Sequence, residues 1–389
     1  MKKRNTAILG AAFLMATSAI GPAFLTQTSL FTSQLAASFG FVIFISILLD
    51  LGAQLNLWRI VTMSKLYAQD MANELLPGAG YFLAALIAFG GFAFNIGNIA
   101  GAGLGLNVLT GLSPSVCGVI SCCFALSMFW FKEAGRVLDF IFKALGILTI
   151  ALTVYVAFAA HPPLGEALHR TVMPGKINFF IIVTIVGGTV GGYISFAGAH
   201  RLLDAGVSGR DNLKHVTKSS VSGILITAVM RYVLFLAALG VVVKGIALSG
   251  SNPAASVFQS AAGSVGYIFF GVILWSASIT SIIGSSYTTV SFWRSLSPFI
   301  RRNEKVVVTV FIIISCIIFL INPKPVKLLI MAGAVNGFIL PIALAIMLIA
   351  SRKKSLMNNY KHSLWLQIFG WIVVLIMNWL SIKSLNTFL

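Results

Sequence analysis

Eleven apolar stretches of 17 or more residues, separated by short polar links, decide what this chain can become. They cover approximately residues 7–34, 39–62, 80–106, 114–131, 138–160, 177–200, 220–248, 264–292, 305–321, 326–350 and 364–385. A helix of about 20 residues crosses a hydrocarbon core of roughly 30 Å. In lipid only helices and closed barrels satisfy their own backbone groups, and no barrel-type alternation of polar and apolar residues occurs here. The expected fold is therefore an all-α membrane protein of about 11 transmembrane helices. Composition agrees: 9% of residues are charged, against about 25% in soluble domains.

The formal net charge of +18 would suggest nucleic acid in a soluble protein. Here the bases fall between the apolar stretches. With the N-terminus inside, 19 of the 27 Lys and Arg lie on the inner side. Six lie outside, namely Arg170, Lys176, Lys244, Lys324, Lys327 and Lys383, while Lys143 and Arg231 fall within spans. This asymmetry predicts a cytoplasmic N-terminus and an outer C-terminus in the cell membrane, with the bilayer as partner and no nucleic acid. Lys2-Lys3-Arg4 followed by apolar Ala7 to Ala16 has the look of a secretory signal, with small residues near Ala19. The apolar run continues to Leu25 and ten spans follow, so it reads as a retained first span. Cys117, Cys122, Cys123 and Cys316 sit in apolar runs that offer neither a disulfide framework nor a zinc spacing.

Two spans carry helix-loosening sequence. The first holds Gly21-Pro22 and then the polar run Thr26-Gln27-Thr28-Ser29, and the sixth holds Gly187-Gly188-Thr189-Val190-Gly191-Gly192. Non-helical backbone at membrane depth persists only where protein or a water-lined cavity satisfies it. The two breaks stand five spans apart. Five is odd, so two five-helix units would face opposite ways, as in an inverted-repeat transporter. The chain is then a single domain, residues 1–389, with repeats at about 7–160 and 177–350 and an extra helix at about 364–385. Isolated pairs such as Gly97 and Gly101 read instead as close-packing positions.

The stretch Ile96-Gly97-Asn98-Ile99-Ala100-Gly101-Ala102-Gly103-Leu104-Gly105-Leu106-Asn107 resembles the third helix of the NRAMP metal transporters. Gly21-Pro22, Ser276-Ala277-Ser278 through Gly284, Leu340-Pro341 and Ser351 to Met357 extend the likeness along most of the chain. The resemblance implies the leucine-transporter fold of the amino acid-polyamine-organocation superfamily, with proton-coupled uptake of divalent metals. It also implies an Asp-Pro-Gly-Asn motif in helix one and a Met-Pro-His motif in helix six, and this chain reads neither. Aligned with the family, Gly191, Gly192 and Tyr193 replace Met-Pro-His, and Gly333 replaces a ligand-type Gln. Asn95 and Asn98 stand where the family has proton-handling acids.

A divalent cation leaving water normally needs an anionic ligand. The expected substrate site instead combines Thr26, Gln27, Thr28 and Ser29 with Gly188, Gly191, Gly192 and Tyr193, and no metal ligand set is expected. Hydroxyls, amides and half-helix N-termini suit a small carboxylate, such as an amino acid or a derivative of one. Backbone carbonyls and waters leave a divalent metal (manganese, iron or magnesium type) as the alternative. The candidates for coupling to protons or another cation are Asp50, Asn95, Asn98, Arg231 and His200. Asp50 lies at mid-span with Gln54 one turn on, and either forms a structural ion pair with Arg231 or moves a proton. Asp139 sits near a span end, and His200 reads as a solvated helix-end residue at the inner surface. Metalloprotease and phosphate-loop motifs are absent, so the reading is a transporter without enzymatic activity or cofactor, its rival a passive channel or sensor.

Overall fold

The computed structural model describes residues 20–385, with side chains described except over residues 132–144 and at Leu385. Residues 7–19 of the first expected span, and the side chain of Asp139, lie outside the described residues. Among the described residues every regular element is helical. In chain order these are α1 Pro22–Leu35, α2 Phe39–Ser64, α3 Ala68–Leu75, α4 Ala79–Thr110, α5 Pro114–Trp130 and α6 Lys132–Ala159. Then follow α7 Leu164–Val172, α8 Phe179–Val190, α9 Gly192–Asp204, α10 Leu213–Val243 and α11 Pro253–Arg294. The last are α12 Pro298–Arg302, α13 Glu304–Ile321, α14 Pro325–Ala350 and α15 Leu364–Leu385. Short 3-10 turns at Ala36–Ser38 and Arg210–Asn212 lead into α2 and α10.

Among the described residues eight helical stretches are long and apolar enough to span a bilayer, and a ninth is formed if Leu145–Ala159 and Leu164–Val172, bent by 106°, count together. The first of them, Pro22–Ser64, contains two expected spans joined at the 3-10 turn, and the shorter Pro114–Trp130 has 17 residues. Divided and added in this way, they match the eleven expected stretches.

The helix ends follow from local sequence. Ser113, Asn178 and Asn252 each accept a backbone N–H of the first turn of α5, α8 and α11, at 3.4, 3.1 and 3.2 Å. Prolines occupy the first position of α5, α11 and α14, where the missing N–H is not needed. α4 stops at Gly111, whose φ of +73° favours glycine and whose N–H reaches Asn107 O at 2.8 Å. α11 is kinked at Gly263, φ +62°, one residue before the expected start of its span at 264.

The broken pair α8–α9 occupies the middle of the bundle: Ile181 through His200 are all buried. α2, α4 and α14 pack around it. Trp58 of α2 donates its indole N–H to Ser195 O at 2.9 Å. Hydrophobicity does not drive helices together in lipid, so close packing and interhelical hydrogen bonds must. α4 shows how: a Cβ at Gly101 would lie 2.3 Å from Pro22 Cβ, so only glycine lets α1 begin against it. The glycines of that stretch are packing positions.

Candidate substrate site

Gly21 is extended (φ −98°, ψ −170°) and Pro22 opens α1 immediately after it. The pyrrolidine ring disfavours helical conformation in the residue before it, so among the described residues the first span becomes helical only at Pro22. The sequence reading had put the polar run inside the break. Thr26, Gln27, Thr28 and Ser29 are instead helical and fully buried, because their backbone follows the i to i−4 ladder whatever their side chains do. Thr26 Oγ1, Thr28 Oγ1, Ser29 Oγ and Gln27 Oε1 have no hydrogen-bond partner among the described residues.

The second break falls at Gly191 (φ −58°, ψ 162°), between α8 and α9. Gly187 and Gly188 belong to α8. Around the break, Val190 O accepts the Ser195 hydroxyl at 2.7 Å and Gly191 O accepts Ile194 N–H at 2.8 Å. The third partner is Asn336 of α14, a residue that the sequence reading missed. Its Oδ1 accepts the N–H of Tyr193 at 3.3 Å, and its Nδ2 donates to Gly90 O at 2.8 Å and to Ala332 O at 3.0 Å. One amide thus ties α4 and α14 to the first turn of α9. The signal was available: Asn336 is the one polar side chain between Lys327 and Ser351.

Gln27 makes the matching link from α1. Its Nε2 donates to Leu329 O of α14 at 2.8 Å, and a Cβ at Gly188 would lie 2.8 Å from its Oε1. Farther along α14, a Cβ at Gly187 would lie 2.0 Å from Gly333 O and 2.2 Å from Gly337 N. Both broken spans therefore meet α14 on successive turns, with Gln27 at Leu329 and Gly333 and the α8–α9 break at Gly333, Asn336 and Gly337. Tyr193 is buried with its ring edge-on to Phe94, centroids 5.2 Å apart. Side chains at Gly191 or Gly192 would press on Asn336, at 2.7 and 2.8 Å. Added bulk is tolerated better at Gly188, where only the flexible end of Gln27 stands close.

Asp50 and Arg231 come together in a second buried cluster. Both line an enclosed cavity of about 10 Å³ with Ser46, Thr189 and Thr227. Such a space suits roughly one water molecule. Arg231 Nη1 donates to Thr189 Oγ1 at 2.6 Å, and the guanidinium lies 4.5 Å from the centroid of the Phe24 ring. Arg231 Nε and Nη2 and Asp50 Oδ1 remain without hydrogen-bond partners among the described residues. Gln54 donates to Ser220 O at 3.1 Å and so does not serve Asp50 through that amide. Thr189 lies two residues before Gly191, which connects this cluster to the break.

Asn95 and Asn98 form a separate network. Asn95 Nδ2 donates to Ser315 Oγ and its Oδ1 accepts from Ser285 Oγ, both at 3.0 Å; Asn98 Nδ2 donates to Ser285 Oγ at 3.3 Å. The amides join α4, α11 and α13. His200 differs from its expectation. It is buried, accepting the Ala68 N–H at 3.1 Å on Nε2 and packed against Phe292, ring centroids 4.5 Å apart. The Tyr67–Ala68 link folds back over the end of α9, and Tyr67 hydrogen-bonds Asp204 there, which removes His200 from solvent. Among the described residues no three His, Cys, Asp or Glu side chains gather where they could share an ion.

An all-helical bundle with a central broken helix is the architecture of membrane transporters of the leucine-transporter fold, and solved structures agree. A manganese transporter of Eremococcus coleocola superposes with a TM-score of 0.75 at 16% identity, covering 98% of this chain and 87% of that one. MhsT in complex with L-phenylalanine gives 0.63 at 16% identity, covering 97% and 98%. The protein belongs to the natural resistance-associated macrophage protein-like family, whose profile matches residues 12–387. The membrane protein YcsG of Bacillus subtilis is 55% identical over 98% of this chain and 94% of its own length. The divalent metal cation transporter MntH of Staphylococcus saprophyticus is 22% identical over 90% of this chain and 85% of its own.

Proposed function

We propose that the protein is a secondary-active carrier of a small carboxylate-bearing organic solute, amino-acid-like in chemistry, in the cell membrane. The observation that carries this is the make-up of the two breaks. Neither residues 20–35 nor residues 181–199 contain an acid, Cys, His or Met. What they offer is the amide of Gln27 with its unpartnered Oε1, three unpartnered hydroxyls on α1, and the N-terminal end of α9. A half-helix N-terminus carries partial positive charge and attracts carboxylates. Gly188, Gly191, Gly192 and Tyr193 give the opposite wall. In this reading Gly191 is the hinge of alternating access and Asp50 with Arg231 is the coupling pair.

A divalent metal is the second reading, supported by the activities in the names of MntH and of the manganese transporter. Thermal unfolding of purified protein with MnCl2, MgCl2 and a panel of amino acids and N-acyl amino acids, side by side, separates them. Stabilisation by a carboxylate that Gln27→Leu removes supports the proposal. Stabilisation by Mn2+ alone refutes it.

A further inference from the structure

α11 runs from Asn252 at one face of the bundle to Arg294 at the other. At the Asn252 face, which the charge asymmetry assigns to the outside, lies an open cavity of about 640 Å³. Its polar lining includes Asn107, Asn252, Lys324 and Lys327, and its apolar lining includes Phe180 and Met331; no Asp or Glu lines it. Four helices begin at its wall. Pro114 is the first residue of α5, Phe180 the second of α8, Asn252 caps α11, and Lys324 caps α14. Each presents the positive end of its dipole.

Three further facts mark the cavity as a receptor for an anion. Lys324 and Lys327 stand at the cap and in the first turn of α14, the helix end where cations are unfavourable, and no acid offsets them. Acids do stand in the first turns of α3, α7 and α13, as Asp70, Glu166 and Glu304, where α14 has its lysines. Asn252 is only 8% exposed; its Oδ1 caps α11, while its Nδ2 donor has no partner among the described residues. A locally unfavourable charge placement with no structural gain points to a ligand. The position also matters, since Ile330 and Met331 of the lining lie between Leu329 and Gly333 on α14, the turn where Gln27 meets that helix.

We propose that this cavity is a vestibular binding site for an organic monocarboxylate with an apolar body, a station before the central site. Lys324 and Lys327 receive the carboxylate, Asn252 donates through Nδ2, and Phe180 and Met331 take the apolar part. The same charges repel divalent cations, so the vestibule selects as well as collects. The inference rests on the carboxylate reading of the breaks and extends it to a second site.

The test is calorimetric titration of the detergent-solubilised full-length protein with phenylacetate and with its uncharged analogue phenylacetamide. Phenylacetate should bind clearly tighter than phenylacetamide. Lys324→Gln/Lys327→Gln should weaken phenylacetate about tenfold, the size expected for two partly exposed charge pairs, and leave phenylacetamide unchanged. Gln27→Leu, which strips the central amide, should leave phenylacetate binding in place. No phenylacetate binding, equal binding of the two probes, or full affinity in the lysine double variant overturns the vestibule. Loss of phenylacetate binding in Gln27→Leu alone also overturns it, while sparing the central carboxylate site. Mn2+ accumulation in vesicles with vestibular phenylacetate binding intact overturns the central reading instead.

Discussion

Replacing Asn336 by Leu tests whether one amide holds the central break. The change keeps the branched shape, though not the volume, of the side chain, removes three hydrogen bonds, at 2.8, 3.0 and 3.3 Å, and leaves the Tyr193 N–H buried without its acceptor. At about 1 kcal/mol per bond, less about 1 kcal/mol because the Gly90 and Ala332 carbonyls keep their helical partners, the expected net loss is about 2 kcal/mol. In chains of 150–250 residues 1 kcal/mol moves Tm by about 2–4 °C, so this longer chain should lose about 3 °C. Asn336→Asp should be worse. It keeps the acceptor for Tyr193 but turns a carboxylate oxygen toward two carbonyls, where burial of unpaired charge costs several kcal/mol. Thermal unfolding in detergent reads both variants, and vesicle uptake reads the hinge. If Asn336→Leu melts and transports like the parent, or Asn336→Asp is the milder change, the amide does not hold the break.

Gly187→Ala should destabilise far more than Gly188→Ala, because the first Cβ meets the backbone of Gly333 and Gly337 and the second only the end of Gln27; comparative Tm values check this. Asp50→Asn should abolish pH-gradient-driven accumulation in vesicles. Unchanged pH dependence in this variant would make Asp50 structural. Burial, and then the charge of Arg59, hold His362 down at about 4, and its Nε2–H donates to Asn56 Oδ1 at 2.7 Å. A depressed histidine is neutral in the fold, so its contribution is complete above about pH 6.5 and is lost as pH falls from there to about 4, by up to roughly 3 kcal/mol. His362→Gln should flatten Tm against pH in that window.

The spans were readable because lipid makes one demand on every residue of a crossing helix; most described ends fall within about four residues of the apolar runs, while α6, α10 and α11 begin 6, 7 and 11 residues earlier, where the helix continues into polar sequence beyond the apolar run. The glycine cluster likewise marked the sixth break, since Gly191 must leave the helix in a segment buried on all sides. In the first span the polar run was the louder signal, yet hydroxyl and amide side chains do not interrupt a backbone ladder, and the described helix runs unbroken from Pro22 through that run. Asn336 and the burial of His200 depend on which helix lies opposite. Spacing along one helix does not carry that information, although a solitary Asn in an apolar span was reason to look. Depth alone left open whether Asp50 forms an ion pair with Arg231 or moves a proton; the structure lines one cavity with both, without a direct ion pair between them among the described residues.

The most direct test of the account is accumulation by proteoliposomes holding the full-length protein, with radiolabelled Mn2+ and a radiolabelled pool of amino acids offered under the same pH gradient. The account predicts saturable uptake of a member of the amino-acid pool, lost in Gln27→Leu and collapsed by an uncoupler, with Mn2+ no higher than in empty vesicles. Saturable Mn2+ uptake that Gln27→Leu or Gly188→Val removes, with no amino acid retained, would contradict it.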